Sequence, residues 1–248
     1  MRDMPDAIVL CGGSGLRLRS VIGDSAKGMA EVAGRPFLEV LLHQLRRHGF
    51  QRVIMAVGFQ KDAIRKFFGD RIGDLELVYS EEATPLGTGG AIRKAVEFIT
   101  SDSVLVTNGD SYADVDLGRF TKHHSDAGAD ASVVVVPADG RSDCGFVLVG
   151  KDGAVRSFDE KQAPPDASYI NAGIYMMSKA MTLEIPLGRP VSLEREVFQQ
   201  WMNEGHDIQA FVYSGKCIDI GTPDRYRVAQ DVLAEVEVEV CAQDESQL

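Results

Sequence analysis

Ala7-Ile8-Val9-Leu10-Cys11-Gly12-Gly13-Ser14-Gly15-Leu16-Arg17-Leu18 is the stretch that decides how this chain is read. A short apolar run ending in glycines is the pattern of a strand buried on both faces of a parallel sheet. The glycines leave that strand at its carboxyl end, where ligands of open α/β sheets bind. With no Cβ atoms in the way, backbone N–H groups of such a loop can approach phosphate oxygens closely. Arg17 follows and can add bidentate bonds to the same oxygens. Two other nucleotide motifs do not fit. A dinucleotide fingerprint needs Gly or Ala where Leu18 stands and an acidic residue where Gly58 ends the second strand. A P-loop needs Ser or Thr after Gly-Lys, whereas Lys27 is followed by Gly28 and Met29. A tight turn without a ligand would leave Arg17 and Lys27 unexplained.

Outward from this loop, strand and helix signals alternate through the first half. Leu38, Leu41, Leu42 and Leu45 share one helical face, and strands are expected at Val53–Val57, Leu75–Tyr79 and Val104–Thr107. Helices are expected between them, at Asp62–Phe68 and along Ala91, Ile92, Ala95, Val96 and Ile99. Such alternation implies βαβ units and a parallel sheet. The second half is richer in strand signals, at Ser132–Val136, Phe146–Val149, Ala154–Phe158, Tyr169–Met177 and Ile208–Tyr213, with a helix from about Leu193 to Asn203. Thr222 as N-cap and Pro223 at the first helical position open a closing helix. Beyond it, Val232, Val236 and Val240 suit a helix, while Glu235–Val240 alternates as a strand would. The expected fold is α/β, a Rossmann-like, mostly parallel sheet flanked by helices with a β-rich second lobe. A single domain over 1–248 is expected, with a first half (1–115), a second half (116–226) and an acidic tail (227–248).

Composition narrows the partners. The 248 residues carry 26 Lys+Arg against 37 Asp+Glu, a net charge of −11, which disfavours nucleic acid and anionic membrane as bulk-charge partners. The tail alone holds six carboxylates (Asp231, Glu235, Glu237, Glu239, Asp244, Glu245) against Arg227, a net −5. Between Cys11 and Ala30 the sign reverses, with Arg17, Arg19 and Lys27 against Asp24, which suits a small anionic ligand. The 25 glycines are roughly 10% of the chain, above the usual ~7%. Four scattered cysteines without metal spacing, and no apolar run long enough for a signal peptide or membrane span, lead to the expectation of a soluble cytoplasmic protein with reduced thiols.

Downstream motifs recur in a telling order: Thr84-Pro85-Leu86-Gly87-Thr88-Gly89-Gly90-Ala91, Asn108-Gly109-Asp110, Glu160-Lys161, Asn171-Ala172-Gly173 and Asp219-Ile220-Gly221-Thr222-Pro223. With the glycine loop they resemble the sugar-1-phosphate nucleotidyltransferases, a match running from about Ala7 to Tyr226. The resemblance implies two substrates, a nucleoside triphosphate and a sugar 1-phosphate, and Mg²⁺ as cofactor. Nucleotide contacts would come from Leu10, Gly12, Gly13, Ser14, Gly15, Glu82, Gly87, Thr88 and Asn108, and sugar-phosphate contacts from Gly145, Glu160, Lys161 and Asn171. Arg17, Lys27, Asp110 and Lys161 would carry catalysis. Arg17 would hold the outer phosphates, and Lys27 would bridge the α-phosphate and the incoming sugar phosphate. Asp110 and Asp219 would hold the metal, since two carboxylates with phosphate oxygens make a hard oxygen site. A homo-oligomer is compatible with the resemblance. Among family members, the short chain and P-L-G-T-G-G-A are most similar to those pairing GTP with a heptose 1-phosphate. Hexose 1-phosphates or uridylyl transfer are the alternatives.

Base choice has one physical clue. Glu82 lies where the family reads the base, and a carboxylate, which only accepts, suits the adjacent N1–H and N2 amino donors of guanine. One departure concerns the loop. The family usually has Pro before the lysine, whereas Ala26 precedes Lys27 and Gly28 follows, which predicts a less restrained backbone there. A reading of another class is a non-catalytic nucleotide-sugar sensor. Arg17, Lys27, Asp110, Lys161 and Asp219 together favour the enzyme.

Overall fold

The computed structural model describes residues 4–13, 15–138, 145–159 and 169–245, with side chains through 234. Its centre is one ten-stranded sheet. The strands, in chain order, are β1 (Asp6–Leu10), β2 (Arg52–Val57), β3 (Leu75–Glu81), β4 (Ser103–Asn108), β5 (Ala131–Pro137), β6 (Phe146–Val149), β7 (Val155–Asp159), β8 (Tyr169–Ser178) and β9 (Ile208–Val212), plus the edge pair Arg71–Ile72. The spatial order is β7-β6-β8-β4-β1-β2-β3, with β5 pairing β8 and β9 pairing β5. The strands β4, β1, β2 and β3 run parallel, and β8 joins β4 antiparallel. The first half thus supplies the parallel sheet and the second half adds the antiparallel strands beside it.

Period-two side-chain alternation divides the core between the two faces. Ala7, Val9, Val53, Met55 and Leu105 face one side, packed against Phe37, Leu38, Leu41 and Leu45 of α1 (Phe37–Arg47). Ile8, Ile54, Ala56, Val104 and Val106 face the other, over Ile92 and Ala95 of α3 (Gly87–Ala95) and Phe198 and Trp201 of α5 (Phe198–Glu204). Helix α2 (Lys61–Phe68) links β2 to β3. Helix α4 (Leu117–Ala127) starts at Asp116, whose side chain accepts from the Arg119 N–H at 2.9 Å. The chain closes on α6 (Pro223–Glu245), so the ambiguous tail is helical through Glu245. Gln230 on α6 donates to the Glu31 carbonyl at 2.8 Å, which fixes the helix to the hairpin Glu31–Val32/Arg35–Pro36. No helix of the described residues is long and apolar enough to cross a membrane.

From β1 the chain moves outward to β2 and β3, then returns to the opposite side of β1 as β4. That reversal places a crevice at the carboxyl ends of β1 and β4. A small ribbon completes it. Ser111–Ala113 pairs antiparallel with Cys217–Asp219, with Ser111 opposite Asp219.

Candidate active site

Two cavities adjoin at the crevice. One, of about 290 Å³, lies over the glycine loop and is lined by Leu10, Gly12, Gly13, Glu82, Gly87 and Thr88. The other, of about 350 Å³, lies between β8 and the ribbon and includes Arg17, Gly145, Asn171, Glu194, Asp219 and Arg225. Lys27, Asn108 and Asp110 line both. The two are therefore parts of one site that meet across three side chains.

The meeting point is held from several directions. Lys27 Nζ is ion-paired with Asp110, and its side chain is only 14% exposed. The ribbon carries Asp219 alongside, and the Ile220 N–H donates to the Asp110 carbonyl at 3.0 Å. Asp219 accepts two bonds from Arg225 Nη1, at 3.0 and 2.8 Å, and one from the Gly221 N–H at 2.7 Å. The turn carrying Lys27 is not loose. A Cβ on Gly28 would lie 2.5 Å from Leu38 Cγ, so glycine here lets the turn pack directly on α1, and Ala26 is buried beside it.

The second glycine loop has a different purpose from the first. Gly87 has φ +71°, and a Cβ there would lie 2.5 Å from the Val191 carbonyl oxygen. The Gly89 N–H donates to that same oxygen at 2.9 Å, and the Val191 N–H donates to the Leu86 carbonyl at 2.8 Å. Close backbone packing requires these glycines, and Gly87 also borders the smaller cavity. Thr88 borders the smaller cavity, yet its hydroxyl donates to Glu194 at 3.0 Å and accepts from the Leu193 N–H at 2.8 Å. Gly13 by contrast has open space where a Cβ would be.

Glu82 is half-buried, and one of its oxygens accepts from the Leu86 N–H at 3.0 Å. Burial raises its pKa, partly offset by that bond. Its carboxylate also helps burial hold the neighbouring Cys11 thiol protonated. Gly15, with φ +60°, backs the Lys27 side chain, and Arg17 borders the larger cavity rather than the one over the glycine loop. Asn171 borders the larger cavity, and its Oδ1 accepts from the Gly173 N–H at 2.9 Å. Asn108 Oδ1 is buried without a partner. Ser14, Glu160 and Lys161 lie outside the described residues. Sequence reading passed over Arg225 and Glu194. The first sits just inside α6, where Asp224-Arg225 reads as ordinary surface charge, and the second falls within Ser192-Leu193-Glu194-Arg195-Glu196, which reads as a charged helix start.

Residues 6–235 match the family model described as nucleotidyl transferase. The chain belongs to the nucleotidyl transferase family. A D-glycero-alpha-D-manno-heptose 1-phosphate guanylyltransferase of Aneurinibacillus thermoaerophilus is 35% identical, across 92% of this chain and 98% of that protein. A mannose-1-phosphate guanylyltransferase of Mycobacterium tuberculosis is 34% identical, across 89% of this chain and 62% of its own length. HddC of Yersinia pseudotuberculosis, solved in complex with GMP-PN, superimposes with a TM-score of 0.82 at 31% identity, across 93% of this chain and all of that one. This nucleotidyl transferase shares that overall fold.

Nucleotidyl transferases generally use a divalent metal ion. Asp110 and Asp219 suit one chemically, since both are carboxylates bordering one cavity. Among the described residues no third His, Cys, Asp or Glu joins them in a metal-holding group. Two protein carboxylates with phosphate oxygens and water is the usual arrangement for Mg²⁺. Lys27 and Arg225 balance the two charges.

Proposed function

We propose that this nucleotidyl transferase moves GMP from GTP to a sugar 1-phosphate, D-glycero-α-D-manno-heptose 1-phosphate in preference to a hexose 1-phosphate. The products are a GDP-sugar and pyrophosphate. The observation that carries the reading is the sharing of Lys27, Asn108 and Asp110 by the two cavities, because two bound substrates would meet there. The sugar is argued from the 35% identity to the heptose enzyme over nearly its whole length. The 34% identical mannose enzyme keeps the hexose in view.

The phosphate of a sugar 1-phosphate has its second pKa near ~6, so at neutral pH it is largely a dianion and needs no general base. One of its oxygens attacks the α-phosphorus in line, a new P–O bond forms, and the bond to the β-phosphate oxygen breaks. Catalysis then consists of positioning and stabilising charge. The Gly12-Gly13 backbone holds phosphate oxygens. Lys27 leaves Asp110 to lie between the α-phosphate and the incoming phosphate. Arg17, which borders the larger cavity, holds a phosphate group, and Lys161 is assigned the sugar phosphate. Glu82 accepts from guanine with the oxygen not engaged by Leu86. Asp110 and Asp219 would hold Mg²⁺, which supplies charge neutralisation on the phosphates and fixes their orientation.

Pyrophosphate release with Mg²⁺ tests this, with four nucleoside triphosphates paired against heptose and hexose 1-phosphates. The expected result is the highest kcat/KM for GTP with the heptose 1-phosphate. A preference for mannose 1-phosphate or UTP would overturn the assignment of substrates, and no release from any pair would favour a sensor.

A further inference from the structure

We infer that Glu194 is a positioning residue. It sets the direction of the hydrogen bonds at the sugar-side cavity and ties that cavity to the helix bordering the nucleotide. The inference rests on the nucleotidyl-transfer reading above and deepens it. Glu194 lies in a turn of π-helix, Leu193–Val197, an irregularity often found at functional sites. It is 8% exposed yet borders the larger cavity. Its carboxylate accepts from three hydroxyls: Thr88 Oγ1 at 3.0 Å, Ser192 Oγ at 3.1 Å and Tyr175 OH at 2.8 Å.

A carboxylate has no proton to give, so all three hydroxyl protons point inward to it. The consequence propagates. Tyr175 is fully buried and spends its single proton on Glu194, so its oxygen can only accept from Asn171 Nδ2, 2.7 Å away. Burial and then the Glu194 charge push the Tyr175 phenol well above its usual pKa, which keeps it a donor. The other end of the Asn171 amide agrees, since its Oδ1 accepts from the Gly173 N–H. Both ends therefore fix the amide the same way round. One Nδ2 hydrogen is used on Tyr175, and the second remains as a donor for a sugar hydroxyl or phosphate oxygen. On the opposite side the Thr88 proton also points to Glu194, which anchors the first turn of α3 beside the nucleotide-side cavity. A single buried carboxylate thus holds a sugar-side donor and a nucleotide-side helix in one frame.

Steady-state kinetics of full-length Glu194→Gln and Tyr175→Phe, beside wild type, test it with GTP and heptose 1-phosphate as substrates. Gln keeps the size but introduces donors where three hydroxyl protons converge, while Phe removes the hydroxyl that bridges Glu194 and Asn171 and leaves the Thr88 bond in place. Both variants should raise KM for the sugar 1-phosphate about tenfold, the scale of one buried polar group left unpaired. Tyr175→Phe should leave KM for GTP unchanged, and Glu194→Gln, which also disturbs Thr88, should lower kcat as well. A KM for the sugar that stays at the wild-type value in both variants, with only a lower melting temperature, would overturn the inference. Tyr175→Phe reads the sugar side alone if Glu194→Gln does not fold. Wild-type enzyme inactive with every sugar 1-phosphate would overturn the transfer reading itself, and the inference with it.

Discussion

Glu82 illustrates what one residue's surroundings do to its chemistry. An exposed glutamate beside Glu81 would titrate at its ordinary 4.5, but the buried setting raises the Glu82 pKa. The ionised form alone can accept from both guanine donors. GTP affinity should therefore be complete above the raised pKa and fall as pH drops through it, beginning at a higher pH than an ordinary glutamate would dictate. Glu82→Gln should flatten that profile and weaken GTP more than ATP, CTP or UTP. Titration calorimetry across pH checks both, and equal losses for all four nucleotides would contradict the assignment. The same scale explains what sequence could not reveal. Lys27, Asp110 and Asp219 were legible because each sits in a short motif. Arg225 and Glu194 were not, because their partners Asp219, Thr88 and Tyr175 are brought to them only by the fold.

At the scale of elements, the two glycine segments look alike in sequence and differ in purpose. Gly13 faces open space at the phosphate-side loop, whereas Gly87 is pinned by its left-handed φ and by the Val191 carbonyl. Gly87→Ala should cost about 2–4 kcal/mol from backbone strain and overpacking together, read as a lower melting temperature. Gly13→Ala should leave stability nearly unchanged and weaken GTP binding. The reverse pattern would contradict the division of roles. The strands of the parallel sheet were legible since short apolar runs such as Ala7–Leu10, Val53–Val57 and Val104–Thr107 end in glycine or turn residues. Helix α4 was not, because its buried face rests on Leu117, Phe120 and the polar His124 alone. The ribbon Ser111–Ala113/Cys217–Asp219 is three residues a side, too short to leave a period in the sequence, yet it aligns Asp219 with Asp110. The helix expected from Ala91 begins at Gly87, since its first turn packs through glycines where an apolar stripe would normally announce a helix.

Across the whole molecule, the antiparallel pairing of β8 with β4 joins the sheet's two halves and sets the two cavities edge to edge. The net charge of −11 is compatible with an anionic substrate: Arg17, Lys27 and Arg225 border the site, a divalent metal would offset Asp110 and Asp219 there, and much of the remaining acid lies along the later part of α6. In the proposed reaction, a sugar phosphate bound in the larger cavity attacks the α-phosphorus of GTP bound over the glycine loop. The most direct measurement follows the label from GTP radiolabelled at its α-phosphate, with D-glycero-α-D-manno-heptose 1-phosphate and Mg²⁺. All of the transferred label should appear in a GDP-sugar, with unlabelled pyrophosphate released in equal amount. Label found only in free GMP or GDP, or remaining in GTP while both substrates are shown to bind, would contradict the account.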